Sequence, residues 1–114
     1  MNGRDKGPAA WDRTSLEELR QLRTNALELA DRNDVAAAQF RMRADVYAAA
    51  AVQLSKKAEE TRSSELVSQA EENARKSDKR RRTARLREEE ASKQRAIAMR
   101  LNAFIARREG HVGR

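Results

Sequence analysis

Eight of the thirteen residues from Arg75 to Arg87 are lysine or arginine, and Asp78 is the only acid among them. This basic block carries a charge of +7, which equals the net charge of the whole chain, because the charges outside the block sum to zero. Guanidinium and ammonium groups at this density bind phosphate oxygens and other anions. The candidate phosphate-binding residues are Arg75, Lys76, Lys79, Arg80, Arg81, Arg82, Arg85 and Arg87.

The surroundings of the basic block limit what it can recognise. No aromatic residue lies between Tyr47 and Phe104, so the block offers no ring on which a base could stack. On a helix its cations fall into three sectors that cover most sides. The pattern predicts salt-sensitive binding of nucleic acid through phosphates, with low sequence specificity. An acidic protein surface is the alternative ligand, and a solvated helix surface without a ligand is the third interpretation.

Residues that could carry catalysis or bind a metal are sparse. The chain has no cysteine, and its one histidine, His111, lies between glycines near the end of the sequence. Glu88, Glu89 and Glu90 are contiguous, so on a helix they point about 100° apart and cannot converge on one cation. The sequence therefore predicts a non-enzymatic protein without a metal site, a cofactor or a small-molecule substrate.

Composition favours a helical protein outside the membrane. Leu, Ile, Val and Phe number only 18 of 114 residues, but 21 are alanine and one is proline. Alanine is the strongest helix former. No apolar run approaches the ~18 residues that span a bilayer, and no signal-peptide core is visible, which predicts a cytoplasmic location. Arginine outnumbers lysine nineteen to six, as in proteins from GC-rich bacteria or their phages.

The first half of the chain predicts a helical hairpin over residues 14–58, after a flexible lead-in over residues 1–13 from which Trp11 packs on the first helix. Ser15 and Glu18 have the spacing of a capping box. Apolar residues then recur at helical spacing on both sides of Asn33, where a helix stop is expected. The hairpin core is expected to contain Leu19, Leu22, Tyr47 and Leu54.

Residues 59–109 predict a long, highly charged helix, followed by a tail over residues 110–114 that begins with the helix-stopping Gly110. This helix either continues unbroken from Val35 or breaks near 63–64 or 77–78, and a break would fold residues 97–105 back onto the Tyr47–Leu54 face. A repeat of mostly small residues every seven positions allows another helix to approach closely but contributes little buried area. Its members are Ala70, Ser77, Ala84, Ala91, Ala98 and Ile105.

An apolar patch closes the long helix. Ile97, Leu101, Phe104 and Ile105 share one helical face and predict an interface with a helical protein partner or a second copy. Overall the sequence predicts an all-α protein that binds nucleic acid, or else a helical interaction or assembly protein that docks on a larger partner.

Overall fold

The computed structural model describes residues 8–112, and within that range it contains three helices and no strand. They are α1 (Pro8–Trp11), α2 (Leu16–Thr61) and α3 (Ser64–Val112). The two long helices form a helical hairpin, so the predicted all-α fold is confirmed. The chain divides into a turn unit, residues 32–90, and a terminal unit made of the residues up to 31 and from 91 onward.

The turn of the hairpin lies at residues 62 and 63. Arg62 adopts the left-handed conformation with φ of 55°, and the Ser63 hydroxyl accepts a hydrogen bond from the Leu66 amide at 3.3 Å. This arrangement ends one helix and caps the next. Of the three alternatives for the long helix, the break near 63–64 is confirmed. The unbroken helix and the break near 77–78 are wrong.

The predicted helix stop at Asn33 is also wrong, because α2 passes through this residue without interruption. Asn33 is buried, and its side-chain oxygen accepts a hydrogen bond from Arg87 of α3 at 3.2 Å. An asparagine disfavours a helix interior when its amide competes for the local backbone, and this cross-helix partner removes that competition. The hairpin therefore spans both long helices instead of residues 14–58.

The helix ends agree only partly with the sequence. Ser15 caps α2, since its hydroxyl accepts a hydrogen bond from the Glu18 amide at 3.1 Å. Within the predicted lead-in over residues 1–13, α1 occupies residues 8–11, and residues 1–7 lie outside the described range. At the other end α3 continues past Gly110 to Val112, so the predicted stop is wrong. Residues 113–114 of the predicted tail are not among those described.

The small-residue repeat of α3 faces α2 within the turn unit. Ala70, Ser77 and Ala84 are buried there, as is Ala44 of α2. The Ser77 hydroxyl donates a hydrogen bond to the Ala44 carbonyl at 2.9 Å. A side chain as short as serine reaches a neighbouring backbone only where two helices lie close together, which is the packing that the repeat predicts.

The terminal unit holds the largest buried apolar side chains. Trp11, Leu19, Leu101 and Ile105 form one buried cluster. The Trp11 and Phe104 rings pack edge to face with their centroids 5.7 Å apart. This is the favourable geometry for two aromatic rings. The predicted packing of Trp11 on the first turns of the long N-terminal helix is confirmed.

Two predicted contacts of the apolar residues are wrong. Leu19 and Leu22 do not meet Tyr47 and Leu54, because all four residues belong to the single helix α2. Residues 97–105 pack instead against the first turns of α2, with Leu16 and Leu22 partly buried beside the cluster. Only the start of α2 carries leucines at the spacing needed to match this apolar face.

Polar contacts fix the antiparallel order of the helices in the terminal unit. Arg20 pairs with Glu109 at 2.9 Å, and Arg95 pairs with Asp31 at 3.1 Å. In addition, a guanidinium nitrogen of Arg108 donates to the carbonyls of residues 11 and 14. Exposed ion pairs contribute little to stability, so these contacts define register more than they strengthen the fold.

Over residues 8–112, neither long helix has a segment apolar enough to cross a membrane.

Candidate nucleic-acid interface

The basic block lies wholly within α3 and in the turn unit. Ser77 and Ala84 are its buried members and turn toward α2. Their positions divide the eight cations into those that flank the α2 contact and those that point away from it. The cations occupy most of the remaining sides of the helix, and α2 covers the uncharged side that carries Ser77 and Ala84.

Two cations on one flank lie over an aromatic ring of α2. The Lys76 ammonium is 5.6 Å from the centre of the Tyr47 ring, and the Arg80 guanidinium carbon is 6.0 Å from it. The ring attracts both charges through its negative face. Arg80 Nε is buried and makes no hydrogen bond within the described residues. The sequence places Tyr47 in the hairpin core, whereas here it supports the basic block.

Two further cations bind polar groups of α2. Arg81 pairs with Asp45 at 3.0 Å, and Arg87 makes the hydrogen bond to Asn33 described above. Lys76, Arg80, Arg81 and Arg87 thus contact α2 and help to hold the hairpin. The eight predicted phosphate-binding residues divide into two groups of four.

The other four cations form an outer cationic face, made of Arg75, Lys79, Arg82 and Arg85. All four are exposed, and within residues 8–112 no hydrogen bond, ion pair or ring contact joins them to α2. Arg75 contacts only Glu72 of its own helix, at 3.4 Å with both side chains more than half exposed, an arrangement that contributes little. At 1.5 Å per residue the face spans about 15 Å of α3.

An ion pair that the sequence does not reveal joins α2 and α3 next to the basic block. Arg41 Nε donates to one carboxylate oxygen of Glu88 at 2.9 Å, and Arg41 Nη2 donates to the other at 2.5 Å. This bidentate bond lowers the pKa of Glu88 and raises the pKa of Arg41. The partner of Glu88 is thus on α2, 47 positions away in the sequence.

Because the pKa of Glu88 is lowered in the folded chain, the Arg41–Glu88 pair stabilises the fold above the carboxyl's ordinary pKa of about 4.3, and this contribution is lost as the pH falls through the lowered value. We expect the melting temperature of Glu88→Gln to fall less than that of the parent chain between pH 6 and about pH 3. Glu89→Gln, which removes an adjacent exposed carboxylate, is the control. Equal acid sensitivity of the Glu88→Gln variant and the parent would contradict the role of this pair.

The predicted partner interface is used inside the chain. Leu101 and Ile105 are 1% exposed, and Ile97 and Phe104 are partly buried against them. The start of α2 covers this face, so Leu101 and Ile105 pack within the chain. Contact of the four residues with another protein stays a prediction. Pattern alone does not distinguish an apolar face that meets a partner from one that meets a distant part of its own chain.

The described residues offer no group of three or more histidine, cysteine or acidic side chains that could hold a metal ion. A groove of about 590 Å³ in the turn unit is lined chiefly by alanine and valine, and its other lining residues include Lys56, Glu59 and Glu71. Comparison with protein families, characterised proteins and solved structures finds no match to this chain.

Proposed function

We propose that this protein binds nucleic acid through phosphate contacts, without catalysis and with little sequence specificity. The observation that carries the proposal is the outer cationic face, where four exposed cations lie on one side of a helix whose opposite side is anchored to α2. A rigid helix presents these charges without the entropy cost of ordering a flexible segment. The proposal implies a cytoplasmic location, where nucleic acid is available.

The division of the block sets the expected salt dependence. If four cations neutralise duplex phosphates, the slope of log K against log salt is about −3.6, and affinity falls about a hundredfold between 50 and 200 mM salt. Eight contacts would give about −7. The slope therefore distinguishes binding by the outer cationic face alone from binding by the whole block.

A charge-matched pair of variants tests which cations bind. Replacing Lys79, Arg82 and Arg85 together by Gln is expected to flatten the slope to about −1 and to weaken binding to all sequences alike, because phosphate contacts carry no base information. The control changes Arg32, Lys57 and Arg100 to Gln, three exposed cations outside the block. It removes the same charge and is expected to keep most of the slope.

Fluorescence anisotropy with labelled duplex DNA, single-stranded DNA and RNA at several salt concentrations measures both quantities. Absence of binding to all three at 50 mM salt would overturn the proposal. An acidic protein surface would then be the better ligand for the same face, as in an assembly or adaptor protein. Equal losses in the two triple variants would show that net charge, and not the outer cationic face, drives binding.

A further inference from the structure

The outward side of α2 in the turn unit carries an exposed apolar stripe. Its members are Val35, Ala38, Met42, Val46 and Ala49. Their spacing of three and four residues keeps them within an arc of about 80° along about 21 Å of helix. Val35 is 59% exposed, and Met42 and Val46 are each 69% exposed. Single exposed apolar residues need no explanation, but a continuous stripe on a chain with 38% charged residues does.

The charged residues interspersed with the stripe each contact another side chain of the turn unit. Arg41 binds Glu88, Asp45 binds Arg81, and Arg43 lies over the Phe40 ring at 5.7 Å. These are all the charged residues between Val35 and Ala49. None of the five stripe residues carries a charge, so an uncharged, apolar face is the best partner for the stripe.

We propose that the stripe binds the same stripe of a second copy of this chain in antiparallel orientation, with the two-fold axis at Met42. In this pairing Val35 lies opposite Ala49 of the second copy, and Ala38 lies opposite Val46. Each layer away from the axis then combines one valine with one alanine, so these layers are filled to a similar width. A parallel pairing would place valine on valine and alanine on alanine, which alternates crowding with gaps.

The positions of the charges are compatible with a second copy of the chain as the partner of the stripe. The outer cationic face points away from α2, while the stripe points away from α3. Two copies joined through their stripes therefore hold their cationic faces on opposite outer sides, where repulsion is weakest. A contact that is one helix wide and about 21 Å long buries less surface than the ~1,200 Å² of stable complexes. We expect a weak, reversible dimer.

Cysteine cross-linking tests the orientation, because the chain contains no cysteine of its own. Met42→Cys lies at the two-fold axis and is expected to form an intermolecular disulfide readily under mild oxidation. Met99→Cys, at a position that is 73% exposed, is the control and is expected to react much more slowly. A mixture of Val35→Cys and Ala49→Cys is expected to give mainly the mixed disulfide. Preferential cross-linking of Val35→Cys to itself would overturn the antiparallel pairing.

Sedimentation of the full chain without nucleic acid tests the dimer independently of the proposed function. The average mass is expected to rise toward that of two chains as the concentration increases from about 10 µM to about 1 mM, as expected for a small interface. Met42→Glu places two like charges at the axis and is expected to abolish the rise, whereas Met99→Glu is expected to preserve it. Circular dichroism verifies that both variants fold. A monomer at every concentration, with Met42→Cys no more reactive than Met99→Cys, would overturn the proposal in favour of a different partner.

Discussion

Leu101→Ala is expected to lower the free energy of unfolding by about 2–5 kcal/mol. Leu101 is 1% exposed within the cluster of the terminal unit, so truncation removes buried methyl groups and leaves a cavity. Leu19→Ala, on the opposing helix, is expected to cost a similar amount. Small domains are stabilised by only about 5–15 kcal/mol, so either change removes a large fraction of the total.

Chemical denaturation measures this effect, and the chain provides a matched control. Leu86 lies on the same helix as Leu101 but is 65% exposed, so Leu86→Ala is expected to change stability by less than about 0.5 kcal/mol. Equal losses for Leu86→Ala and Leu101→Ala would contradict the assignment of the core. An unchanged melt for both leucine variants in the cluster would show that the terminal unit does not depend on this packing.

Ala84→Leu is expected to destabilise the protein by about 1–3 kcal/mol through the opposite mechanism. Ala84 is fully buried where α3 faces α2, and the Ser77–Ala44 hydrogen bond shows how close the helices are in this unit. A leucine requires space that this contact lacks, so the helices must separate or the side chain must take a strained rotamer.

The control for this prediction is Ala96→Leu, because Ala96 is an exposed residue of the same helix. Both changes exchange one good helix former for another, so intrinsic propensity contributes little to the difference. Thermal melts followed by circular dichroism compare the two variants. A melting temperature for Ala84→Leu that equals that of Ala96→Leu would exclude close packing of α2 and α3 at this position.

The helical class was predictable because alanine content, the Ser15 cap and apolar periodicity all favour helix. The position of the turn was harder to predict. Asn33 has the residue type of a helix stop, but a cross-helix hydrogen bond from Arg87 satisfies its side chain. That contact joins residues 54 positions apart, and local sequence contains no information about it. Arg62 and Ser63 carried only a weak turn signal.

The location of the candidate interface was predictable from the sequence, but the division of its cations into two groups was not. Charge density alone identifies the basic block. Which of its cations face α2 depends on the buried side of α3, and the seven-residue repeat through Ser77 and Ala84 marks that side in the sequence. With a partner helix assigned to the repeat, the separation of Lys79 and Arg82 from Arg80 follows from helical geometry.

The same repeat restricts how the length of this protein can change. Deleting one residue between Ser77 and Ala84 turns everything beyond it by 100°, which carries Arg85 into the position now filled by Ala84 and Met99 into that of Ala98. Removing seven residues from each long helix shortens both helices by nearly two full turns and restores small residues opposite each other. Length variants that retain the hairpin are therefore expected to differ in matched steps of seven, with the turn at 62–63 unchanged.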